Sequence, residues 1–196
     1  PPELHGKNLA SVQRTLEHDY FGLAVAIFHL LFMGRHPYAG RYNGPDISMS
    51  DAIAQNRFAF SLARQAETQT IPPPGAMTLD MFPNAISQAF ETAFGLFSKE
   101  RPTALDWIHA LVSLEGSLSH CSKVKTHYYP SNAGGCVWCR LSSHSGFDMF
   151  PDQTAIEPTI SADTRFTDQA IHEILAFSFP TVADLLPPSA SPRGPS

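Results

Sequence analysis

The sequence predicts a mainly α-helical protein of one domain with a small appendage. The most apolar stretch, residues 19–34, holds only one clearly polar side chain between Tyr20 and Met33, His29. Two later segments repeat apolar residues at helical spacing, and no convincing strand pattern of alternating residues separates them. The 196 residues are 43% hydrophobic and include 14 Phe, which is enough to build a sizeable core.

The apolar stretch is predicted to be the central core helix. A membrane span needs about 20 apolar residues, and this run is shorter and carries a histidine. A helix that is apolar on all sides must be buried on all sides. The helix is predicted to end near Gly34 and Pro37, since neither residue continues a helix well. We therefore expect a buried helix and no association with a membrane.

Three weaker helices are predicted further along the chain. One lies near residues 50–55, with Ser48 or Ser50 as its N-cap. The segment 84–97 and the segment after the predicted N-cap Thr103 carry the helical repeats. Their periodic apolar residues are Ile86, Phe90, Phe94 and Phe97 in the first, and Leu105, Ile108, Leu111, Val112 and Leu114 in the second.

These patterns divide the chain into three parts. Residues 1–118 form the helical part, and residues 119–141 hold all the cysteines. Residues 142–196 are predicted to be a mostly irregular tail with a short helix near 167–177, because the composition there turns polar and rich in Pro and Ser.

The net charge, the cysteines and the N-terminal sequence indicate which partners and which cellular compartment to expect. A net charge of -5 with only 16% charged residues argues against general nucleic-acid binding, which needs a basic face. No signal peptide is visible, and three clustered cysteines do not resemble a secreted disulfide framework. We expect a reducing cytoplasm, and the absence of an initiating methionine suggests a fragment of a longer protein.

The cysteine segment has the spacing of a zinc site. Cys121 and His127 are followed by the pair Cys136 and Cys139, which gives three thiolates and one imidazole. Zn²⁺ favours four such ligands in tetrahedral geometry, and a complete Cys₃His set leaves no position for a reacting water. The sequence therefore predicts a structural Zn²⁺ with these four ligands. His120 or His144 could replace His127 as the fourth.

Other chemistries of clustered cysteines lack their required neighbours. A zinc deaminase needs H-x-E, but Tyr128 and Tyr129 follow His127. A c-type haem site needs a histidine where Arg140 stands, and a thioredoxin pair needs a βαβ context. A zinc-ribbon nucleic-acid binder would need basic and aromatic residues around the site, and only three basic residues are near: Lys123, Lys125 and Arg140.

Three segments of residues 1–118 resemble protein kinases in the order expected. "PPEL" resembles the A-P-E that closes the activation segment. "HDYFGLAVAIFHLLFMGRHPY" resembles the buried helix that follows, which begins with an aspartate. "KERPTALDWIHAL" resembles the segment in which arginine and proline open the last helix. The resemblance implies the C-terminal lobe of a Ser/Thr protein kinase fold, from the end of the activation segment onward.

The resemblance also implies roles for single residues. Glu3 would pair with Arg101, since a bidentate guanidinium satisfies a buried carboxylate best; the plain alternatives are a solvated Glu3 and an Arg101 in a helix-entry turn. Asp19 would accept backbone N–H bonds from the catalytic loop; the plain alternative is an ordinary helix N-cap. The loop "GRHPYAGRY" could contact a protein substrate, although a structural role suits its composition better.

The parts that perform phosphoryl transfer are missing from the sequence. It has no Gly-rich loop, V-A-I-K lysine, H-R-D or D-F-G, so we expect no catalytic or cofactor-binding residue in this chain. ATP and Mg²⁺ would bind only to the intact parent protein. The chain should be inactive alone, and its main partner would be the missing N-terminal portion of the kinase.

The cysteine segment resembles a second feature of one kinase-like group. Some bacterial proteins of this kind carry C-x5-H-x-Y-P…C-P-W-C after the lobe, and here Val137 replaces the proline. Some members continue into helix-hairpin-helix segments, but residues 140–196 show no G-x-G hairpin. Two hypotheses follow: a bacterial Ser/Thr protein-kinase-like protein, or a non-catalytic pseudokinase-like scaffold or zinc-containing interaction module. An upstream H-R-D and D-F-G would favour the first.

Overall fold

The computed structural model describes residues 1–152 together with His172 and Ala176. This part is mainly helical with two small antiparallel sheets, which confirms the predicted class. The helix predicted near 167–177 lies outside the described residues, apart from those two positions. Among the residues that the structure describes, no helix has the length and hydropathy needed to cross a membrane.

The elements follow one another with short connections. The helices are α1 (Leu16–Leu31), α2 (Met49–Ala54), α3 (Gln65–Thr68), α4 (Asn84–Ala93), α5 (Ala104–Gly116) and α6 (Val137–Ser145). The strands are β1 (Arg41–Tyr42), β2 (Thr70–Ile71), β3 (Leu118–His120) and β4 (Tyr128–Pro130). β1 pairs with β2, with Arg41 opposite Ile71, and β3 pairs with β4, with Ser119 opposite Tyr129.

The central helix α1 begins earlier than the sequence predicted. Its N-cap is Thr15, whose backbone N–H donates to Nδ1 of His18 at 3.1 Å, so Asp19 lies in the first turn and is not the cap. The prediction of burial on all sides is also wrong. A stripe of α1 is exposed, and its residues recur three or four positions apart, as one face of a helix requires. The stripe consists of Asp19, Gly22, Ala26 and Leu30.

The opposite face of α1 holds the centre of the core. The ring of Phe28 is fully buried and stacks on Phe32 with 4.0 Å between the centroids. Rings from the segment between α2 and α3, and from α4 and its C-cap, meet it edge-on, which is a favoured arrangement of aromatic pairs. These are Phe58 at 6.0 Å, Phe60 at 4.9 Å, Phe90 at 5.1 Å and Phe94 at 5.9 Å.

Helices α4 and α5 differ in how well the sequence predicted them. The backbone N–H of Thr103 donates to Asp106 Oδ2 at 2.8 Å, and Thr103 Oγ1 accepts from the N–H of Asp106, which confirms the predicted cap of α5. Helix α4 ends at Ala93, four residues before the predicted end at Phe97, and Phe97 is 67% exposed. On α5 the buried face is Trp107, Ala110 and Leu114, whereas three of its periodic apolar residues, Leu105, Ile108 and Val112, are exposed.

The cysteine segment, residues 119–141, which we call the knuckle, packs onto the helical part of the chain, residues 1–118, which we call the helical lobe. It contains the β3–β4 hairpin and the start of α6, neither of which the sequence predicted. Val137 and Trp138 belong to the same buried cluster as Phe28. The indole N–H of Trp138 donates to the carbonyl of Tyr128 at 2.5 Å, so Trp138 is a packing residue that also ties α6 to the hairpin.

Candidate metal centre and the Glu3–Arg101 pair

The knuckle brings four potential metal ligands together. Cys121 follows β3 and His127 precedes β4, and the backbone N–H of Cys121 donates to the carbonyl of His127 at 3.0 Å. Cys136 caps α6, where its sulfur accepts from the N–H of Cys139 at 3.5 Å. The ligand atoms of all four residues lie within 4.8 Å of one another. The four side chains could therefore bind a metal ion.

The distances within the cluster suit zinc. The Sγ atoms of Cys121 and Cys139 are 3.6 Å apart, and Nδ1 of His127 is 3.5 Å from the sulfurs of both Cys136 and Cys139. Bonds of about 2.3 Å to sulfur and about 2.0 Å to nitrogen give a tetrahedron with S–S edges near 3.8 Å and S–N edges near 3.6 Å. The three cysteines are free thiols. Donor types and spacing both fit Zn²⁺.

The thiols have different environments. The backbone N–H groups of Lys123 and Val124 lower the pKa of the Cys121 thiol, and the Lys123 N–H lies 3.3 Å from its sulfur. Burial, together with the neighbouring thiols, raises the pKa of Cys139. A cation would have to offset the cost of deprotonating Cys139, because only the thiolate is a metal ligand.

The second nitrogen of His127 contacts a residue that the sequence did not indicate. Nε2 lies 2.8 Å from Oδ1 of Asp148, 21 positions further along the chain. The backbone N–H of Phe150 donates to the same oxygen and lowers the pKa of Asp148 below its usual value. A lone aspartate beyond the cysteine pair has no recognisable spacing, so no sequence signal pointed to it.

The alternative histidine ligands lie outside the cluster. His120 Nε2 is 2.7 Å from the carbonyl of Lys125, and its ring packs against Tyr128 with centroids 5.0 Å apart. His144 lies on α6, where it lines a cavity of about 480 Å³ between the end of α1 and α6. Of the three histidines considered, only His127 belongs to the four-residue group.

The structure pairs Glu3 with Arg101 across 98 positions of sequence. Arg101 donates through Nη1 to Oε1 of Glu3 at 2.5 Å and through Nη2 to Oε2 at 2.9 Å. The guanidinium also donates to the carbonyls of Ala93 and Glu17 and lies 4.9 Å from the ring centroid of Phe21. Arg101 is 5% exposed, so its charge is nearly buried.

The charge of Arg101 shifts the titration of its partner. Partial burial alone would raise the pKa of Glu3, but the hydrogen bond and the positive charge of Arg101 outweigh it. The pKa of Glu3 is therefore below its usual value of 4.5. The pair fixes the first residues of the chain to the start of α5.

The other two features singled out from the resemblance are not assembled into a site. Asp19 is exposed, and its carboxylate makes no hydrogen bond with any described residue. In the loop after α1, Pro37 and Tyr38 are buried, and the hydroxyl of Tyr38 donates to Asn56 Oδ1 at 2.7 Å. These contacts give the loop a structural role.

Comparison with known proteins supports a kinase-like relationship. The chain is 36% identical over 148 residues, 73% of its length, to the protein named protein kinase YegI in Escherichia coli O157:H7 and to the same protein in Escherichia coli strain K12. It spans 23% of the length of these curated relatives. No protein-family model matches the sequence, and no solved structure matches it.

Proposed function

We propose that this chain is the C-terminal part of a bacterial Ser/Thr protein-kinase-like protein: a partial C-terminal lobe followed by a structural Cys₃His zinc site. The similarity to protein kinase YegI carries the proposal. In the intact protein, segments outside this chain would bind ATP and Mg²⁺ and transfer the phosphoryl group to a protein substrate. This chain would supply the scaffold on which they rest.

The Glu3–Arg101 pair supports this assignment. In the protein kinases that these segments resemble, the glutamate closes the activation segment and the arginine opens the last helix. Here the same two residue types meet in bidentate geometry although they are far apart in sequence. A bidentate, nearly buried guanidinium fixes orientation as well as charge.

The exposed stripe of α1 supports a partner that precedes the lobe. Leu30 is 75% exposed and the carboxylate of Asp19 has no hydrogen-bond partner among the described residues, although α1 is the central helix. An apolar helix face with an unpaired carboxylate at one end suits a segment that offers apolar side chains and backbone N–H groups. The N-terminal portion of the kinase is the partner that we propose for this face.

An arginine on the stripe tests this packing. Because Ala26 is exposed, Ala26→Arg should change the free energy of unfolding of this chain by no more than about 0.5 kcal/mol. In a longer protein that includes the preceding kinase portion, the same change would bury an unpaired charge and cost about 3 kcal/mol or more. Thermal and denaturant unfolding of both lengths would measure the difference.

Ala85→Arg is the matched control, since Ala85 is an exposed alanine on α4. It should be tolerated at both lengths. Equal tolerance of Ala26→Arg in the longer protein would refute the packing. If the longer protein folds and binds ATP but transfers no phosphoryl group, the scaffold hypothesis replaces the catalytic one.

The zinc site has its own test. Metal analysis of the purified chain should find one zinc per chain, and Cys136→Ser should lower that content because three ligands hold zinc less tightly than four. Ser119→Ala is a control, as Ser119 lies on β3 and is outside the ligand group. A full complement of zinc in Cys136→Ser would rule out this ligand assignment.

A further inference from the structure

We propose that Asp148 is a positioning residue for His127 and forms the outer part of the zinc site. The inference rests on the proposed zinc function. Its basis is the contact of 2.8 Å between Nε2 of His127 and Oδ1 of Asp148, on the side of the ring opposite the sulfurs. Nδ1 faces the sulfurs of Cys136 and Cys139 at 3.5 Å.

The contact between Asp148 and His127 selects one tautomer of the neutral imidazole. A neutral histidine carries one ring proton, and the nitrogen that binds a metal must be the one without it. A carboxylate can only accept, so Asp148 holds the proton on Nε2 and leaves the lone pair of Nδ1 directed at the sulfurs. The wrong tautomer would place a proton where the cation must bind.

His127 has little freedom to find another arrangement. The residue is 0% exposed, so water does not replace a lost partner of its ring. Without Asp148 the N–H at Nε2 would be a buried donor, and moving the proton to Nδ1 would become more favourable. The carboxylate therefore prepares the ring for a metal before the metal arrives.

Asp148 is itself held by contacts that do not involve His127. Gly146 ends α6 with a φ of 72°, which turns the chain back toward the hairpin. We call residues 146–150 the closing turn. The N–H of Phe150 donates to Asp148 at 2.9 Å, the hydroxyl of Thr126 donates to the carbonyl of Phe150, and the rings of Phe150 and Trp138 meet edge-on at 4.8 Å. The carboxylate is thus pre-positioned.

Zinc affinity, measured on the full chain by competition with a chromophoric chelator, tests the proposal. Asp148→Ala should bind Zn²⁺ about 10- to 100-fold more weakly than the wild type. Asp148→Asn keeps an acceptor oxygen without the charge and should lie between the two. Ser145→Ala is the matched control: Ser145 is the last residue of α6, and the change removes its side-chain bonds to Phe147 of the closing turn and leaves the carboxylate in place, so the variant should bind like the wild type.

A second measurement separates positioning from a merely structural role. Long-range ¹⁵N–¹H correlation spectra of the reduced, metal-free chain, at a pH where the imidazole is neutral, report which nitrogen of His127 is protonated. The wild type and Ser145→Ala should carry the proton on Nε2. Asp148→Ala should show an increased share of the Nδ1-protonated form.

The outcomes distinguish the two proposals. If Asp148→Ala binds zinc as tightly as the wild type while Cys136→Ser does not, the role of Asp148 is refuted and the zinc site remains. If Asp148→Ala and Ser145→Ala weaken binding equally and leave the tautomer unchanged, Asp148 is only structural. A wild-type chain that takes up no zinc would remove the metal site and this inference together.

Discussion

In the helical lobe Phe28 is surrounded by other aromatic rings, whereas at the centre of the candidate metal site His127 is surrounded by three sulfurs and a carboxylate. Both side chains are fully buried. Ring packing is short-ranged, additive over many contacts and insensitive to pH, whereas the contacts of His127 are few and directional and depend on which ring nitrogen carries the proton. Single substitutions should therefore weaken the lobe gradually, whereas the loss of one partner of His127 should disturb the whole cluster.

The largest effect should come from the centre of the lobe. Phe28→Ala removes a buried ring that contacts five others and should lower the free energy of unfolding by about 3–5 kcal/mol. Phe97→Ala removes a ring that is 67% exposed and should change it by about 0.5 kcal/mol or less. Denaturant unfolding of both variants, with zinc present in excess, measures the difference. Similar losses from the two changes would contradict the observed core.

A smaller effect should come from the polar contact within the lobe. Glu3→Gln leaves the nearly buried Arg101 without its counter-charge. We expect a loss of about 1–3 kcal/mol at pH 7, less than for a fully buried pair because the Glu3 side chain is 31% exposed. Glu67→Gln removes the carboxylate of the Arg64–Glu67 pair, and it should have a much smaller effect on unfolding because the Glu67 side chain is 59% exposed.

This contact should also make the lobe sensitive to acid. The pKa of Glu3 is lowered in the folded chain, so below its usual value of 4.5 the unfolded chain binds the extra proton. The stabilisation from Glu3 is complete above that pH and disappears as the pH falls through the folded value. Wild type and Glu3→Gln should therefore converge in stability in acid. A constant difference in free energy of unfolding between wild type and Glu3→Gln from pH 7 to pH 3 would show that the ionised Glu3–Arg101 pair does not cause the stabilisation.

The sequence predicted best what is decided locally. The cap of α5 depends on Thr103 and Asp106 alone, three residues apart, and it was found from the sequence. The grouping of Cys121, His127, Cys136 and Cys139 was also found, because their spacing in the sequence is typical of zinc sites. The meeting of Glu3 and Arg101 was expected only through the resemblance to kinases, since composition contains no signal for a pair so far apart.

What the sequence did not predict depends on tertiary packing. The run around α1 reads as apolar on every side, and only the packed structure distinguishes Phe28 from the exposed Leu30. Helix α6 was missed because its sequence is polar, although Cys136 caps its first turn. Asp148 was missed because it lies beyond Cys139, the last residue of the recognised ligand spacing. Only the closing turn brings it to His127.

Val137 and Trp138 share the buried cluster of the lobe although they come after it in the chain. During synthesis the chain leaves the ribosome from its N-terminus at about 5–20 residues per second. The lobe helices therefore emerge before the residues that complete their core, and several seconds separate Phe28 from Trp138. In that interval the part of the apolar cluster that Val137 and Trp138 complete is without these two side chains. Completion of the lobe therefore waits for the segment that carries the candidate metal ligands.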